Sequence, residues 1–251
     1  MSDVVEFDPE AACADNGNYF GMPFTPEEAT LVLVSVPWDV TVSYGAGTAA
    51  APAALVSAST QLDFYDAAFP GAWRRGIATW PVDEMIGQRS AQFRAMARRV
   101  IEALERGEDI DKEILETVNR ASEQLNEEVY ALTKQLLAEG KSVGLVGGDH
   151  STPLGAIRAV AERHRGVGIL HVDAHRDLRE AYEGFECSHA SIMYNVLRRI
   201  PEWGVWCRWA YATIARRNSR WPKAIRVWRV LRRPNSPKRH LEAVTGTTSA
   251  S

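Results

Sequence analysis

Apolar and polar positions follow two periods along this chain. Residues 31–36 (LVLVSV) are a short, nearly unbroken apolar run that stops at Pro37, which predicts a strand covered on both faces. Ala49 to Ser59 is alanine-rich with Pro52 near its start, the pattern of a helix opened by proline. Residues 88–106 and 111–139 then read as two long amphipathic helices. In the second, Ile114, Val118, Ala121, Leu125, Val129, Leu132 and Leu136 recur at spacings of three and four, and Gly140 ends the run. Residues 143–146 (VGLV) predict a second buried strand, followed by a helix with Ser151 or Thr152 as its cap and Pro153 in its first turn. Residues 167–172 (VGILHV) predict a third. Strands alternating with helices make this an α/β chain with a parallel sheet covered by helices on both sides.

Composition adds one departure from that picture. The chain has 251 residues, 45% of them hydrophobic and 24% charged, which suits one globular unit with a sizeable core. Residues 1–202 carry 18 Lys+Arg against 31 Asp+Glu. Residues 203–251 carry 11 Lys+Arg and a single acid, Glu242, together with five of the eight tryptophans. The domain expectation is therefore an α/β body over 1–202 and an aberrant basic tail over 203–251. Such a tail can serve as a nucleic-acid or anionic-surface arm, which gives a non-enzymatic alternative. Cys13, Cys187 and Cys207 form no metal-type pair and no disulfide framework. No basic segment followed by an apolar run opens the chain, and no apolar run reaches membrane-spanning length. The expectation is a cytoplasmic protein with no membrane partner.

The chemistry gathers behind the predicted strands. Asp173-Ala174-His175-Arg176-Asp177 follows the third strand directly. In an extended segment, positions i, i+2 and i+4 point the same way, so two carboxylates and an imidazole would converge at a strand's C-terminal end. Two packed acids repel unless a cation lies between them, and oxygen ligands mixed with imidazole suit a divalent ion such as Mn²⁺. Alone, this motif reads equally well as a solvated polar strand end. Gly147-Gly148-Asp149-His150 behind the second strand shifts the balance, because paired glycines allow the tight turn that brings His150 to the same rim. His189, in Ser188-His189-Ala190, could shuttle a proton there or be an ordinary surface histidine. His164, His171 and His240 have no comparable setting. His171 lies within the strand, where a packed or hydrogen-bonded role is expected.

These residues together resemble the ureohydrolases, the family of arginase, agmatinase and formiminoglutamase. Gly147-Gly-Asp-His150-Ser is similar to that family's first metal motif and Asp173-Ala-His175-Arg-Asp177 to its second. Pro37-Trp-Asp39, the Gly45–Pro52 segment and Ser59 resemble its N-terminal region. The likeness runs from residue 31 to about 201. It implies a three-layer αβα fold and a two-manganese centre, with His150 and Asp177 on one ion, His175 on the other and Asp173 bridging. It further implies a guanidino substrate of the agmatine type, with arginase or formiminoglutamase activity as alternatives. A water of lowered pKa would attack the guanidinium carbon and urea would leave. His189 would be the proton shuttle and Arg179 would lie at the substrate, where its charge disfavours a second cationic group. Family members are usually homo-oligomers, and no nucleic acid is expected as a partner.

One part of the family pattern is missing. Its third metal motif, Ser-x-Asp-x-Asp, completes both metal shells, yet Asp177 is the last aspartate in these 251 residues. At most one ion is then expected to bind well, and the sheet is expected to be incomplete on its C-terminal side. The tail itself reads as translation in a wrong frame. Tryptophan has one codon, which restricts the test. Reading from the third base of the Trp203 codon permits an apolar strand followed by an acidic helix start. Residues 203–251 are therefore expected to pack poorly and to have irregular backbone.

Overall fold

The computed structural model describes residues 7–8, 13–64, 66–209 and 229–232. Strand β1 (Leu31–Val36) is the middle of a three-stranded parallel sheet, flanked by β2 (Ile77–Thr79) and β3 (Ser142–Gly147). Leu31 is in register with Ile77 on one side and Ser142 on the other. Its even-numbered residues Val32, Val34 and Val36 face α2 (Glu84–Arg106) and α3 (Lys112–Ala138), packing with Ala97, Val100, Val118, Leu125, Val129 and Leu136. On the other face, the Ser35 hydroxyl is 2.8 Å from the hydroxyl of Tyr19, which lies beside Pro52 of α1 (Ala51–Ser59). Strand alternation thus produces helix, sheet and helix layers, as the apolar run predicts for a strand buried on both faces.

The two long helices have their expected starts. The Asp83 side chain accepts from the Met85 N–H, and Asp111 accepts from the N–H groups of Glu113 and Ile114, leaving fewer orphan donors in each first turn. The next helix, α4 (Leu154–Arg163), differs from expectation. Pro153 is its cap residue, and neither Ser151 nor Thr152 caps it. Both hydroxyls are turned back to Asp149 instead, Ser151 to the carboxylate and Thr152 to the carbonyl. A short polar side chain will close a local turn when that turn competes with the helix end, and here the turn after β3 wins.

The second sheet starts with β4 (Gly168–Val172), which pairs in parallel with β5 (Val205–Trp209); β5 in turn pairs antiparallel with β6 (Arg229–Arg232). Its apolar cover comes from Leu154 and Ala161 of α4, from Ile192, Met193 and Val196 of α5 (Ile192–Arg199), and from Trp203. Trp203 is buried and residues 205–209 form a regular strand, so the expectation of poor packing and irregular backbone from residue 203 onward is corrected for this stretch. The cause is pairing: an extended segment beside β4 has its backbone groups satisfied whatever its side chains are. Residues 210–228 and 233–251 of the tail lie outside the described residues.

Among the described residues, β3 pairs only with β1, and β4 only with β5. The parallel sheet is therefore in two pieces, each with an unpaired edge. Leu170 and Val172 of β4 are more than half exposed, although their sequence is that of a buried strand. This is the incomplete sheet expected on the C-terminal side. Helices α3 and α4 pack closely and tie the two pieces together, with Gly155 of α4 against the backbone of Asn126 and Tyr130. Among the described residues, no helix is long and apolar enough to cross a membrane.

Candidate metal centre

The two strand ends meet in space. At the end of β3, the Gly148 N–H donates to the Val36 carbonyl and the Asp149 N–H donates to the Trp38 carbonyl, so the turn is held against the end of β1. Gly148 must be glycine here: a Cβ at this position would be 1.9 Å from the Trp38 oxygen. This docking carries His150 to the rim. At the end of β4, Asp173 leaves the strand and Asp177 follows in a left-handed conformation, φ 49°. That conformation is uncommon for a residue with a side chain, though aspartate is among those that tolerate it. The Tyr194 N–H, in the first turn of α5, donates to the Asp177 carbonyl and holds the turn in place.

His150, His171, Asp173 and Asp177 come together there, each offering one ligand atom within 4.8 Å of every other. His150 Nδ1 is 2.7 Å from Asp177 Oδ2 and 3.3 Å from Asp173 Oδ2. His171 Nε2 is 3.6 Å from Asp173 Oδ2 and 3.8 Å from Asp177 Oδ2. Three of the four sequence-predicted ligands are in this group. The fourth, His175, is not. Its side chain is 83% exposed, and its Nδ1 is 3.4 Å from Asp173 Oδ1. The strand ends at Val172, and Asp173 Oδ1 accepts the His175 N–H at 2.7 Å. This local turn breaks the extended geometry on which the i, i+2, i+4 argument depends. Parity still holds backward along the strand, because His171 and Asp173 are two apart and share a face. His171 is buried, as expected, but its imidazole faces the carboxylates. The signal that could have found it is its position two residues before an acid at a strand end.

The charges are arranged unequally. Asp177, hydrogen-bonded to His150, raises that imidazole's pKa above the ordinary histidine value, while burial pushes His171 down. Burial alone would raise the Asp173 carboxyl, but the His175 N–H and the neighbouring imidazoles bring it below its usual range. In the metal-free chain, the His150–Asp177 pair contributes stability that is fully present below about pH 6.5. That stability is lost as pH rises through the raised folded value. A metal must displace this proton, so affinity is expected to fall about tenfold for each pH unit below the raised value. Calorimetric titration with Mn²⁺ between pH 6 and pH 8 measures this, and an affinity independent of pH in that range would contradict the assignment.

A second polar group flanks the centre. Asp149 is buried, and its carboxyl is raised by that burial. Asp39 Oδ2 accepts the N–H groups of Gly47 and Ala49 and orders the loop before α1. Arg94 donates to the carbonyls of Val40 and Val42. The Arg179 guanidinium is stacked on the Tyr182 ring at 4.7 Å, and the Tyr182 ring meets the His189 ring edge-on at 5.7 Å. The Arg179 N–H donates to Ala190, next to His189. The backbone thus links both sequence-predicted substrate-side residues, outside the ligand group itself. Glu183 has φ 55° and a carboxyl raised by burial; the hydrophobic pattern did not single it out.

The donor set suits one divalent transition ion. A metal bound at about 2.0–2.1 Å in tetrahedral geometry has ligand atoms about 3.4 Å apart, and the separations above bracket that value. Four protein groups are few for two ions side by side.

A model of the arginase family matches residues 29–219. The chain is 30% identical to an N(1)-aminopropylagmatine ureohydrolase of Thermus thermophilus over 179 residues, covering 71% of this chain and 50% of the relative. It is 29% identical to an agmatinase of Klebsiella pneumoniae, covering 69% and 48%. In structure it is similar to the agmatine ureohydrolase of Thermoplasma volcanium, with a TM-score of 0.53 and 22% identity over 74% of this chain and 51% of that one. The proclavaminate amidino hydrolase of Streptomyces clavuligerus gives a TM-score of 0.50 at 19% identity, over 77% and 54%. The chain spans about half the length of the relatives it matches.

Proposed function

Because this chain belongs to the arginase family, we propose that it is a metal-dependent hydrolase of linear amidines that releases urea from a small guanidino substrate of the agmatine type. The observation that carries this reading is the convergence of His150, Asp173 and Asp177 at the ends of β3 and β4. That rim is where an open α/β sheet takes its ligands. The similarity to agmatine-type ureohydrolases supports the substrate class.

The ion proposed for the centre is Mn²⁺. When bound there by His150, Asp173 and Asp177, it would supply a water acidic enough to be a nucleophile near neutral pH. The chain's own residues do the rest. Asp177 orients His150, and Asp173 faces both imidazoles. His189, on the turn before α5, gives and takes the proton at the departing amine. Arg179, held over Tyr182, sets the positive edge of the site. Its charge disfavours a further cationic group close to it, so the distal ammonium of an agmatine-type substrate would lie away from Arg179. The protein is proposed to act in the cytoplasm, without nucleic acid or membrane as a partner, and to share the family's tendency to form homo-oligomers.

Within these 251 residues, the carboxylates of the family's third metal motif are absent. Activity is accordingly proposed to be impaired. The purified chain, loaded with Mn²⁺ and assayed for urea release from agmatine and other guanidino compounds, is expected to turn over metal-dependently. The rate should be at least about a hundredfold below the enzyme median of about 10 s⁻¹. No metal-dependent urea release from any of these compounds overturns the proposed activity. Turnover near the median overturns the impairment.

A further inference from the structure

A tight turn displays the carboxylate of Glu183 on the His189 side of the centre. Tyr182 and Phe185 exchange both backbone hydrogen bonds, at 3.1 and 2.9 Å, and the two residues between them have positive φ, 55° at Glu183 and 84° at Gly184. A mirror-image β-turn needs both, and its corners favour glycine, asparagine and aspartate over glutamate. Phe185 is fully buried, and Asn119 of α3 clamps the turn, donating to the Gly184 carbonyl and accepting the Glu186 N–H. We propose that Glu183 is a specificity-determining residue of the site and takes the terminal ammonium of the guanidino substrate. This rests on the substrate half of the reading above and is independent of how many ions the centre holds.

Three observations carry it. The first is an unfilled acceptor. Glu183 is only partly exposed, yet its Oε2 is buried with no hydrogen-bond partner among the described residues. A carboxylate oxygen in that state is costly unless a ligand completes it. Burial raises the Glu183 carboxyl, and a bound cation would offset that rise. The second is place. Glu183 follows Tyr182, whose ring meets His189 at 5.7 Å, and it lies within electrostatic reach of both His189 and Arg94. Asp149, which precedes His150, lies within reach of the same two groups. Glu183 therefore belongs to the side of the rim that holds the proposed proton shuttle. The third is charge balance. Arg94 is the cationic neighbour of Asp39, Asp149 and Glu183 alike, and its own Nη1 is committed to the carbonyls of Val40 and Val42. Asp149 is 7% exposed, and its Oδ2 also has no partner. Three acids around one permanent cation leave this side negative, opposite in sign to the Arg179 edge. A second cation on the substrate, joined to the guanidinium by a short methylene chain, would be drawn to it.

The test reads binding as well as turnover, with the full 251-residue chain incubated with Mn²⁺. Three compounds are titrated by calorimetry: agmatine, butylguanidine, which ends in a methyl group, and 4-guanidinobutyrate, which ends in a carboxylate. Agmatine is expected to bind at least about tenfold more tightly than butylguanidine, the worth of one hydrogen bond to a charged group. 4-Guanidinobutyrate is expected to bind more weakly than either. Glu183→Gln, which keeps the size of the side chain, should bring agmatine level with butylguanidine and leave butylguanidine as it was. Glu183→Lys should reverse the order and favour 4-guanidinobutyrate over agmatine, a gain that misfolding does not produce. Equal affinity of the unaltered chain for agmatine and butylguanidine overturns the proposal, as does an agmatine preference that survives in Glu183→Gln. Loss of all three ligands in both variants would make Glu183 a structural residue of the turn and overturns it too, as does no binding by the unaltered chain. If the agmatine preference depends on Glu183 but no compound releases urea, this inference stands and the proposed activity alone fails. If urea is released and the preference ignores Glu183, the activity stands and this inference fails.

Discussion

Replacing Gly148 by alanine is expected to lower the melting temperature by roughly 6–12 °C and to empty the metal centre. The added Cβ would be 1.9 Å from the Trp38 oxygen, 2.6 Å from its carbonyl carbon and 2.8 Å from its nitrogen. All three are backbone atoms, so no rotamer change relieves the clash. The end of β3 would have to lift away from β1. That lift strains two hydrogen bonds, from Gly148 N–H to Val36 and from Asp149 N–H to Trp38. Overpacking of this kind costs about 3 kcal/mol, and a chain of this size loses about 2–4 °C per kcal/mol. His150 follows two residues later, so it would be displaced from Asp177 by the same movement. Gly45→Ala is the control: nothing lies within 4 Å of its added Cβ, and its φ is ordinary. Thermal melts and metal content measured side by side decide the matter. A Gly148→Ala chain that melts with the Gly45→Ala control and binds metal equally well would show that the turn does not position the centre.

Asp177→Asn is expected to produce the largest loss of metal affinity from a single polar substitution, on the order of a thousandfold. Even groups that only orient a ligand are worth about ten- to a hundredfold, and Asp177, as proposed, would both orient His150 and bind the ion. Its side chain is 6% exposed, and Oδ2 is the atom nearest His150 and also approaches His171. Asparagine keeps the shape and tolerates the left-handed backbone, so the change isolates the charge. Removing that charge also removes what holds the His150 proton, so the His150 pKa should fall toward the ordinary histidine value. A histidine NMR titration of the metal-free variant would register that fall. Affinity within tenfold of the unaltered chain would mean that Asp177 is a structural residue of the turn.

Much of this was legible in the residues themselves. Period predicts β1, β3 and β4 and the two long helices to within a few positions, because each buries an apolar face of the right spacing. Asp149-His150 and Asp173 to Asp177 were visible as chemistry because they directly follow short apolar runs that read as strands. Two things were not legible. His171, and not His175, lies among the close-set donors, and Asp173 closes a turn onto the His175 N–H. That competition between a side-chain hydrogen bond and continued extension is settled by neighbouring packing, which a residue pattern does not contain. The fate of residues 203–209 was also hidden. The basic, tryptophan-rich composition of the tail as a whole pointed away from a fold element, yet residues 205–209 pair with β4 and Trp203 enters the second core. Local spacing determines which face of an element is apolar. Which of two imidazoles meets two carboxylates, and which segment takes a free sheet edge, depends on groups far apart in the chain, so tertiary structure alone decided both.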